Sequence, residues 1–172
     1  MGWRNINYPK ERSMSIEDQY AQTISIVYPA IAPSDAYNIP TDRTIRTHVT
    51  VSILGETSEV DFTKEEIIAV LRDIHWEDTS DVEVDKLALF GINGDFLVML
   101  LNSPNLQANW VTVNEALTSA GIPSLDRYPD YRPHITLKQN YEGGLPDPEF
   151  LPPVIKVGSP VLWWGTETVD LH

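Results

Sequence analysis

The sequence predicts a single α+β domain, and three observations carry that prediction. Strand-like segments of β-branched and aliphatic residues alternate with two amphipathic helical segments, and no Gly/Ser-rich linker separates them. The 172 residues are 42% hydrophobic, which is enough apolar surface for one self-sufficient core. Both helical segments are long enough to cover the face of a sheet, as helices do in α+β proteins.

The first half of the chain predicts two strands followed by a helix. Residues 23–31 (TISIVYPAI) are rich in β-branched residues, and residues 47–54 (THVTVSIL) alternate polar and aliphatic side chains. Thr63 is followed three residues later by Glu66, which is the spacing of a capping box, so a helix is expected to begin there. Residues 1–22 show no sustained period and are expected to form an N-terminal arm.

The second half predicts a hairpin, a long helix and further strands. Residues 82–101 divide at Asn93-Gly94, a dipeptide typical of tight turns between antiparallel strands. Pro104 is favoured as the first residue of a helix, and Gly121 is favoured just beyond a helix end. The remaining strand segments are residues 132–139, 154–158 and 161–171.

Two short segments share one pattern. Residues 46–51 (RTHVTV) and 132–137 (RPHITL) each contain Arg, any residue, His, a β-branched residue, Thr and an aliphatic residue. Because strand side chains alternate between faces, the Arg, His and Thr of each copy are expected on one face. The alternative is two amphipathic strands in which Thr serves β propensity and His is an ordinary surface residue. The predicted rows are Arg46, His48 and Thr50, and Arg132, His134 and Thr136.

The charge balance is strongly acidic, with 25 Asp and Glu against 12 Lys and Arg and a net charge of -13. Such a protein repels long polyanions, because extended nucleic-acid binding relies on many cationic contacts. Several basic residues nonetheless lie close in sequence to the two motif histidines, which predicts a local anion site. A chance distribution of arginines is the alternative. These residues are Arg43, Arg46, Arg127, Arg132 and Lys138.

Two imidazoles on either side of a phosphodiester are suited to acid–base catalysis. A neutral histidine takes a proton from the attacking water or hydroxyl, and a protonated histidine gives one to the departing oxygen. Threonine hydroxyls would bind the non-bridging phosphate oxygens, and neither a metal nor another cofactor is required. The alternative role of the histidines, as metal ligands, lacks a third His or Cys at ligand spacing, and the chain has no cysteine.

These motifs carry a resemblance to a known family. HVTV from His48 to Val51 and HITL from His134 to Leu137 resemble the paired H-x-T-x signatures of the 2H phosphoesterase superfamily. That superfamily includes the 2′-5′ RNA ligase-like proteins, cyclic nucleotide phosphodiesterases and phage anti-CBASS phosphodiesterases. The resemblance covers residues 23–171 in arrangement, and the two motifs are its specific part.

The resemblance implies a bilobal fold in which two antiparallel sheets face a central groove, with the helices outside. It implies His48, Thr50, His134 and Thr136 as the catalytic set of a hydrolase. The acidic composition fits long-RNA processing poorly and fits small cyclic oligonucleotides better, as in the phage proteins that degrade host immune signals. Processing of 2′,3′-cyclic phosphates or RNA ends is the alternative within the superfamily.

Aromatic residues near the motifs are candidates for stacking on a nucleobase. Tyr131 lies three residues before His134, and Tyr28 and Trp163 lie on predicted strands. With Arg46, Arg132 and Lys138, these three aromatic residues make up the predicted substrate-binding set. For each aromatic residue, a place in the core is the competing interpretation.

Two other classes of function remain open from the sequence. One is a protein that sequesters a nucleotide without turnover, and the other is a scaffold with an acidic surface and a Pro-rich loop at residues 146–153. The chain shows no signal peptide and no apolar run of the roughly 20 residues that span a bilayer, so a cytoplasmic protein without a membrane partner is expected. No feature of the sequence predicts an oligomeric state.

Overall fold

The computed structural model describes residues 21–124 and 130–172, and within these ranges the chain has the predicted α+β architecture. The described residues form one antiparallel sheet of eight strands together with two α-helices and a short 3-10 turn at Asp35–Tyr37. The predicted arm (apart from residues 21 and 22) and Arg127 lie outside the described residues. The strands are β1 (Thr23–Pro29), β2 (His48–Glu56), β3 (Asp81–Phe90), β4 (Phe96–Asn102), β5 (His134–Lys138), β6 (Val154–Lys156), β7 (Val161–Trp164) and β8 (Glu167–Asp170), and the helices are α1 (Lys64–Arg72) and α2 (Pro104–Ser119).

Both helices begin at the capping residues that the local sequence supplies. The Thr63 hydroxyl accepts a hydrogen bond of 3.2 Å from the Glu66 amide, as the capping box predicts. Ser103 caps α2 in the same way, accepting from the Leu106 amide at 3.1 Å. The predicted end of α2 is also confirmed, because Gly121 follows it with a positive φ of 75°.

The strand order is β6-β3-β4-β5-β2-β1-β7-β8, and the two motif strands are neighbours at its centre. Their junction is narrow, with a single register pair, Val49 with Ile135. The structure therefore does not show the two separate sheets that the resemblance implied. The sheet is continuous, because β2 and β5 pair with each other as well as with their outer neighbours. Their narrow junction divides it into two halves.

The two halves have equivalent strand orders outward from the junction. We call β2, β1, β7 and β8 the β2 half, and β5, β4, β3 and β6 the β5 half. Each half has a β-bulge directly after its motif threonine: Val27 pairs with Thr50 and Ile26 with Ser52, while Val98 pairs with Thr136 and Leu97 with Lys138.

Both helices pack on one face of the sheet, and the motif rows lie on the other. Val49, Val51, Ile135 and Leu137 are buried in the main core with residues of α1 and α2, as the alternation predicts. The opposite face, which we call the motif face, carries the histidines and threonines. Burial of one face against helices leaves the other free to build a site. No helix in the described part of the chain is long and apolar enough to cross a membrane.

Two connections differ from the predicted ones. The β3–β4 loop spans residues 91–95 instead of a two-residue turn at Asn93-Gly94, and Gly91 and Gly94 both take positive φ values of 96° and 64°. The segment expected as one final strand is instead the hairpin β7–β8, which turns at Gly165 with φ 60°. In both places a glycine permits the left-handed backbone that the turn requires.

Candidate active site

The junction between β2 and β5 brings the two motif rows together. In an antiparallel pair, residues flanking Val49 and Ile135 lie across from one another, so His48 is placed opposite Thr136 and Thr50 opposite His134. The four side chains predicted to be catalytic are thus grouped on the motif face at the centre of the sheet. Sequence alternation predicted each row separately, and strand pairing brings the two rows to one place.

Each motif histidine is oriented by the backbone of its own arginine. His48 Nδ1 lies 2.6 Å from the Arg46 carbonyl oxygen, and His134 Nδ1 lies 2.9 Å from the Arg132 carbonyl oxygen. A carbonyl oxygen only accepts, so Nδ1 of each ring must carry the proton and donate it. In the neutral form Nε2 is then the basic nitrogen of both rings.

Burial keeps both imidazoles neutral near pH 7. The pKa of His48 is lowered to about 4, mainly by desolvation and in smaller part by the charges of His134 and Arg46. Desolvation likewise lowers the pKa of His134 to about 4, with a further contribution from Arg132. The influence of His134 on His48 shows that the two rings interact electrostatically across the junction.

In the β2 half, Trp163 of β7 lies beneath the first row. Its ring centroid is 4.7 Å from that of His48, and the Arg46 guanidinium carbon lies 4.1 Å from the centroid of its ring. Trp163 is 3% exposed and His48 is 5% exposed. The predicted substrate-contact residue Trp163 is therefore at the site, where its ring supports Arg46 and His48.

In the β5 half, Phe90 of β3 holds the equivalent place. Its ring lies 4.8 Å from that of His134, and the Arg132 guanidinium carbon is 5.0 Å from its centroid. Sequence reasoning missed Phe90, which lies 44 positions before His134 in the chain. The local sequence shows that Phe90 ends a strand, but the strand order β3-β4-β5 is what places Phe90 beside the motif histidine.

Arg46 and Arg132 are the predicted cations that the structure places beside the motif histidines. Both side chains are exposed, and neither has a carboxylate partner among the residues that the structure describes. In a chain with 25 acidic residues, two unpaired guanidiniums beside two imidazoles favour an anion. Arg43, another predicted cation, instead forms an ion pair of 2.6 Å with Asp35.

The expected contribution of Lys138 to the site is not supported. The bulge after Thr136 pairs Lys138 with Leu97, a residue of the helix-covered core, so Lys138 does not continue the row of His134 and Thr136. Its charge acts on Asp42 instead. The pKa of Asp42 is lowered mainly by hydrogen bonds from Thr44, and Lys138 adds to the shift.

Tyr28 also lies away from the site, contrary to expectation. It is completely buried in the core beneath the helices, where its hydroxyl accepts a hydrogen bond of 2.6 Å from the Asn109 amide. Burial raises the pKa of Tyr28 to about 12. The reason is strand alternation: Tyr28 pairs with Val49, whose side chain faces the helices.

Tyr131 supports the site from the helical side. Its ring stacks on Trp110 of α2 with centroids 5.3 Å apart, and its hydroxyl donates to the Thr50 carbonyl oxygen at 2.7 Å. Tyr131 therefore ties α2 to the backbone of the motif strand β2. Its expected role as a platform for a base stays a prediction.

The described residues contain no group of three or more His, Cys, Asp or Glu side chains arranged to hold a metal ion.

The comparisons with known proteins bear on the fold. No protein-family model matches this sequence, and no curated protein matches it. Among solved structures, the chain is similar to E. coli LigT complexed with 3′-AMP, with a TM-score of 0.56, 18% identity, and coverage of 82% of this chain and 86% of LigT. A crystal structure of a phosphoesterase matches with a TM-score of 0.55 and 14% identity, covering 82% of this chain and 86% of that one.

A third solved structure has a similar fold. The MHV ns2 PDE domain matches with a TM-score of 0.50 and 14% identity, covering 88% of this chain and 99% of that domain. All three are 2H phosphoesterases. This chain therefore has the fold that these three structures share, as the resemblance of the paired motifs implied.

Proposed function

We propose that the chain is a metal-independent phosphodiesterase that hydrolyses small cyclic nucleotides or oligonucleotides. One observation carries this proposal: two imidazoles, each with Nδ1 bonded to a carbonyl, share one face with two threonines and two unpaired arginines. Such a group can stabilise an in-line displacement at phosphorus, in which charge develops on the attacking, leaving and non-bridging oxygens at once.

His48 is proposed as the general base. Its Nε2 takes a proton from water as the water oxygen bonds to phosphorus, which requires a neutral ring. The ring is neutral because it is 5% exposed, and its pKa is lowered to about 4. The Trp163 ring excludes water from His48, and the charge of Arg46 repels a positive charge on the imidazole.

His134 is proposed as the general acid. It is partly exposed, so an incoming phosphate can reach it, and the negative charge of that phosphate raises its pKa from about 4. Protonated at Nε2, it gives its proton to the leaving oxygen as the phosphorus–oxygen bond breaks. After each turnover, His48 releases the proton it gained to solvent and His134 takes one up.

Thr50 and Thr136 are proposed to donate hydrogen bonds to the non-bridging phosphate oxygens. The register places each opposite the histidine of the other half, so both hydroxyls flank the same point. Arg46 and Arg132, supported by Trp163 and Phe90, add positive charge at the edge of this point.

The proposed substrate is a small cyclic oligonucleotide such as an immune signal, as for the phage anti-CBASS members of the superfamily. The net charge of -13 repels a long polyanion, whereas a ligand with few phosphates lies mainly within the local field of Arg46 and Arg132. Cleavage of 2′,3′-cyclic phosphates is the second candidate, and it is favoured by the likeness to LigT, whose structure was solved with 3′-AMP.

A substrate panel tests the proposal. The protein is incubated with cyclic dinucleotides, cyclic trinucleotides, 2′,3′-cyclic mononucleotides and a single-stranded RNA, and the products are resolved by mass spectrometry. Cleavage of a cyclic oligonucleotide to a linear product, unaffected by saturating chelator, is expected. Preference for RNA over every cyclic ligand would contradict the proposed substrate, and loss of activity on chelation would contradict the proposed mechanism.

The same panel distinguishes an enzyme from a protein that sequesters nucleotides. Tight binding without any product would identify a sequestering protein, and neither binding nor product would leave the scaffold interpretation. The control is the His48→Ala variant, which should bind a ligand of the panel without cleaving it.

A further inference from the structure

Lys86 is a cation on the motif face that lies far from both motifs in sequence. On β3, Lys86 pairs with Leu100 of β4, and Leu100 pairs with His134 of β5. Directly paired residues of adjacent antiparallel strands point to the same side, so these three side chains form one line across the β5 half. Two strand spacings separate the Lys86 and His134 Cα atoms, which is about 10 Å.

The ammonium group of Lys86 has no carboxylate partner among the residues that the structure describes. Two other lysines of the same range behave differently: Lys64 pairs with Glu167 at 2.6 Å, and Lys156 pairs with Asp81 at 2.7 Å. Lys86 is exposed, and its strand partner Leu100 is only 5% exposed. A free cation in so acidic a chain is suited to an external anion.

The β2 half has no equivalent cation. Val161 of β7 corresponds to Ala88, because both pair with the residue that pairs with a motif threonine. The position corresponding to Lys86 is then Ser159, which precedes β7. At this position the β5 half therefore carries a lysine and the β2 half a serine.

We propose that Lys86 binds a second phosphate of the substrate, beyond the phosphate that is cleaved. This inference rests on the proposed function, because it takes the point between His48 and His134 as the place of the first phosphate. The ligand class is a nucleotide with at least two phosphodiester groups, such as a cyclic dinucleotide. A substrate with one phosphate does not reach from the junction to Lys86.

The test compares two substrates on three proteins. The kcat/KM values are measured for a cyclic dinucleotide and for a 2′,3′-cyclic mononucleotide, with wild type, Lys86→Gln and Lys64→Gln. Lys86→Gln removes the charge and keeps part of the aliphatic side chain. Lys64→Gln removes the same charge from the start of α1, so this second variant controls for net charge. The ratio of the two values should fall about tenfold in Lys86→Gln, as for a lost charged hydrogen bond, and should not change in Lys64→Gln.

Two further results support the assignment. Lys86→Arg should restore most of the ratio, and the loss in Lys86→Gln should shrink in high salt because screening weakens the lost interaction. An unchanged ratio in Lys86→Gln, or an equal fall in both variants, would overturn the inference.

A wild-type protein that cleaves neither substrate would refute the proposed function separately. In that event, calorimetric binding of the uncleaved cyclic dinucleotide decides the role of Lys86. Binding weakened about tenfold in Lys86→Gln alone would support it, whereas equal or absent binding in wild type and both variants would overturn it.

Discussion

The two halves of the sheet present the same Arg-His-Thr row in different surroundings. In the β2 half, His48 is 5% exposed, lies against an indole ring and donates to its arginine carbonyl at 2.6 Å. In the β5 half, His134 is partly exposed, lies against a phenyl ring and donates at 2.9 Å. The β2 half is suited to holding a neutral base, and the β5 half is open to a charged ligand that protonates an acid.

The apolar floor around each row also differs. The β2 half has a small cluster on the motif face, Val27 and Trp163 with Val161. It also has a buried hydroxyl, Ser25 Oγ, for which residues 21–124 and 130–172 offer no hydrogen-bond partner. The β5 half has a larger cluster, formed by Phe90, Val98 and Leu100 with Ala88 and Phe96, and Lys86 lies at its edge. The two halves therefore have similar backbone arrangements but present chemically different surfaces.

Removing either histidine gives the largest expected effect. His48→Ala and His134→Ala should each lower kcat by about 10²- to 10⁴-fold, since each removes one of two required proton transfers. The double variant should be little worse than either single one, because the residues act as a unit. His75→Ala is the matched control, since His75 is exposed and bonded to Glu77. If either motif variant kept its rate while folded, that histidine would have no catalytic role.

The pH dependence distinguishes the roles of the two histidines. With both pKa values lowered to about 4 in the free protein, kcat/KM should rise as pH falls from 7 toward about 4, because more of the acid is protonated. Bound phosphate raises the pKa of the acid, so the alkaline limb of kcat should lie at higher pH. Both profiles are measured with wild type. A rate that rises steadily into the alkaline range would contradict the assignment.

The same shifts predict a loss of stability in acid. The folded pKa values of about 4 lie below the ordinary value of 6.5, so the unfolded chain binds more protons between these pH values. The free energy of unfolding should therefore fall as pH drops from 6.5 to 4, by up to about 3 kcal/mol per histidine. Urea titrations of wild type, His48→Ala and His134→Ala measure it, and identical pH slopes in all three would contradict it.

The supporting aromatic residues should matter unequally. Trp163→Leu should lower kcat/KM about tenfold, because Trp163 contacts both Arg46 and His48 and an indole is the stronger cation–π partner. Phe90→Leu should lower it about threefold, since Arg132 lies farther from the ring. Trp164→Leu, at the next position of β7 with its ring packed on Phe62 in the main core, controls for general loss of packing. Equal effects of the two motif-face variants would remove the distinction between the halves.

The smallest effect on activity is expected for Tyr28→Phe. This variant removes the hydrogen bond of the Tyr28 hydroxyl with Thr79 and the one from Asn109, whose amide also donates to the Glu77 carbonyl oxygen. The free energy of unfolding should fall by about 1 kcal/mol with kcat/KM unchanged. Thermal denaturation and a steady-state assay measure both quantities. A loss of activity greater than the loss of stability explains would return Tyr28 to the site.

Local features of the sequence determined the helices, the strands and the composition of each motif row. The Thr63 cap, Pro104 and Gly121 act within one helical turn, so their effect is visible without any knowledge of the fold. Alternation along β2 and β5 likewise requires only neighbouring residues, which is why His48 and Thr50 could be assigned to one face. The resemblance of the paired motifs also implied a fold, and this chain shares that fold with solved structures such as LigT.

Tertiary structure alone decided which residues surround those rows. The pairing of β3, β4 and β5 puts Phe90 against His134 and lines Lys86 up with His134 across the β5 half, and the sequence carries no local signal of such long-range pairing. Lys138 leaves the row because a bulge, invisible in the alternation, changes its partner. Burial by packed neighbours, rather than residue type, keeps His48 and His134 neutral, since desolvation depends on atoms from distant parts of the chain.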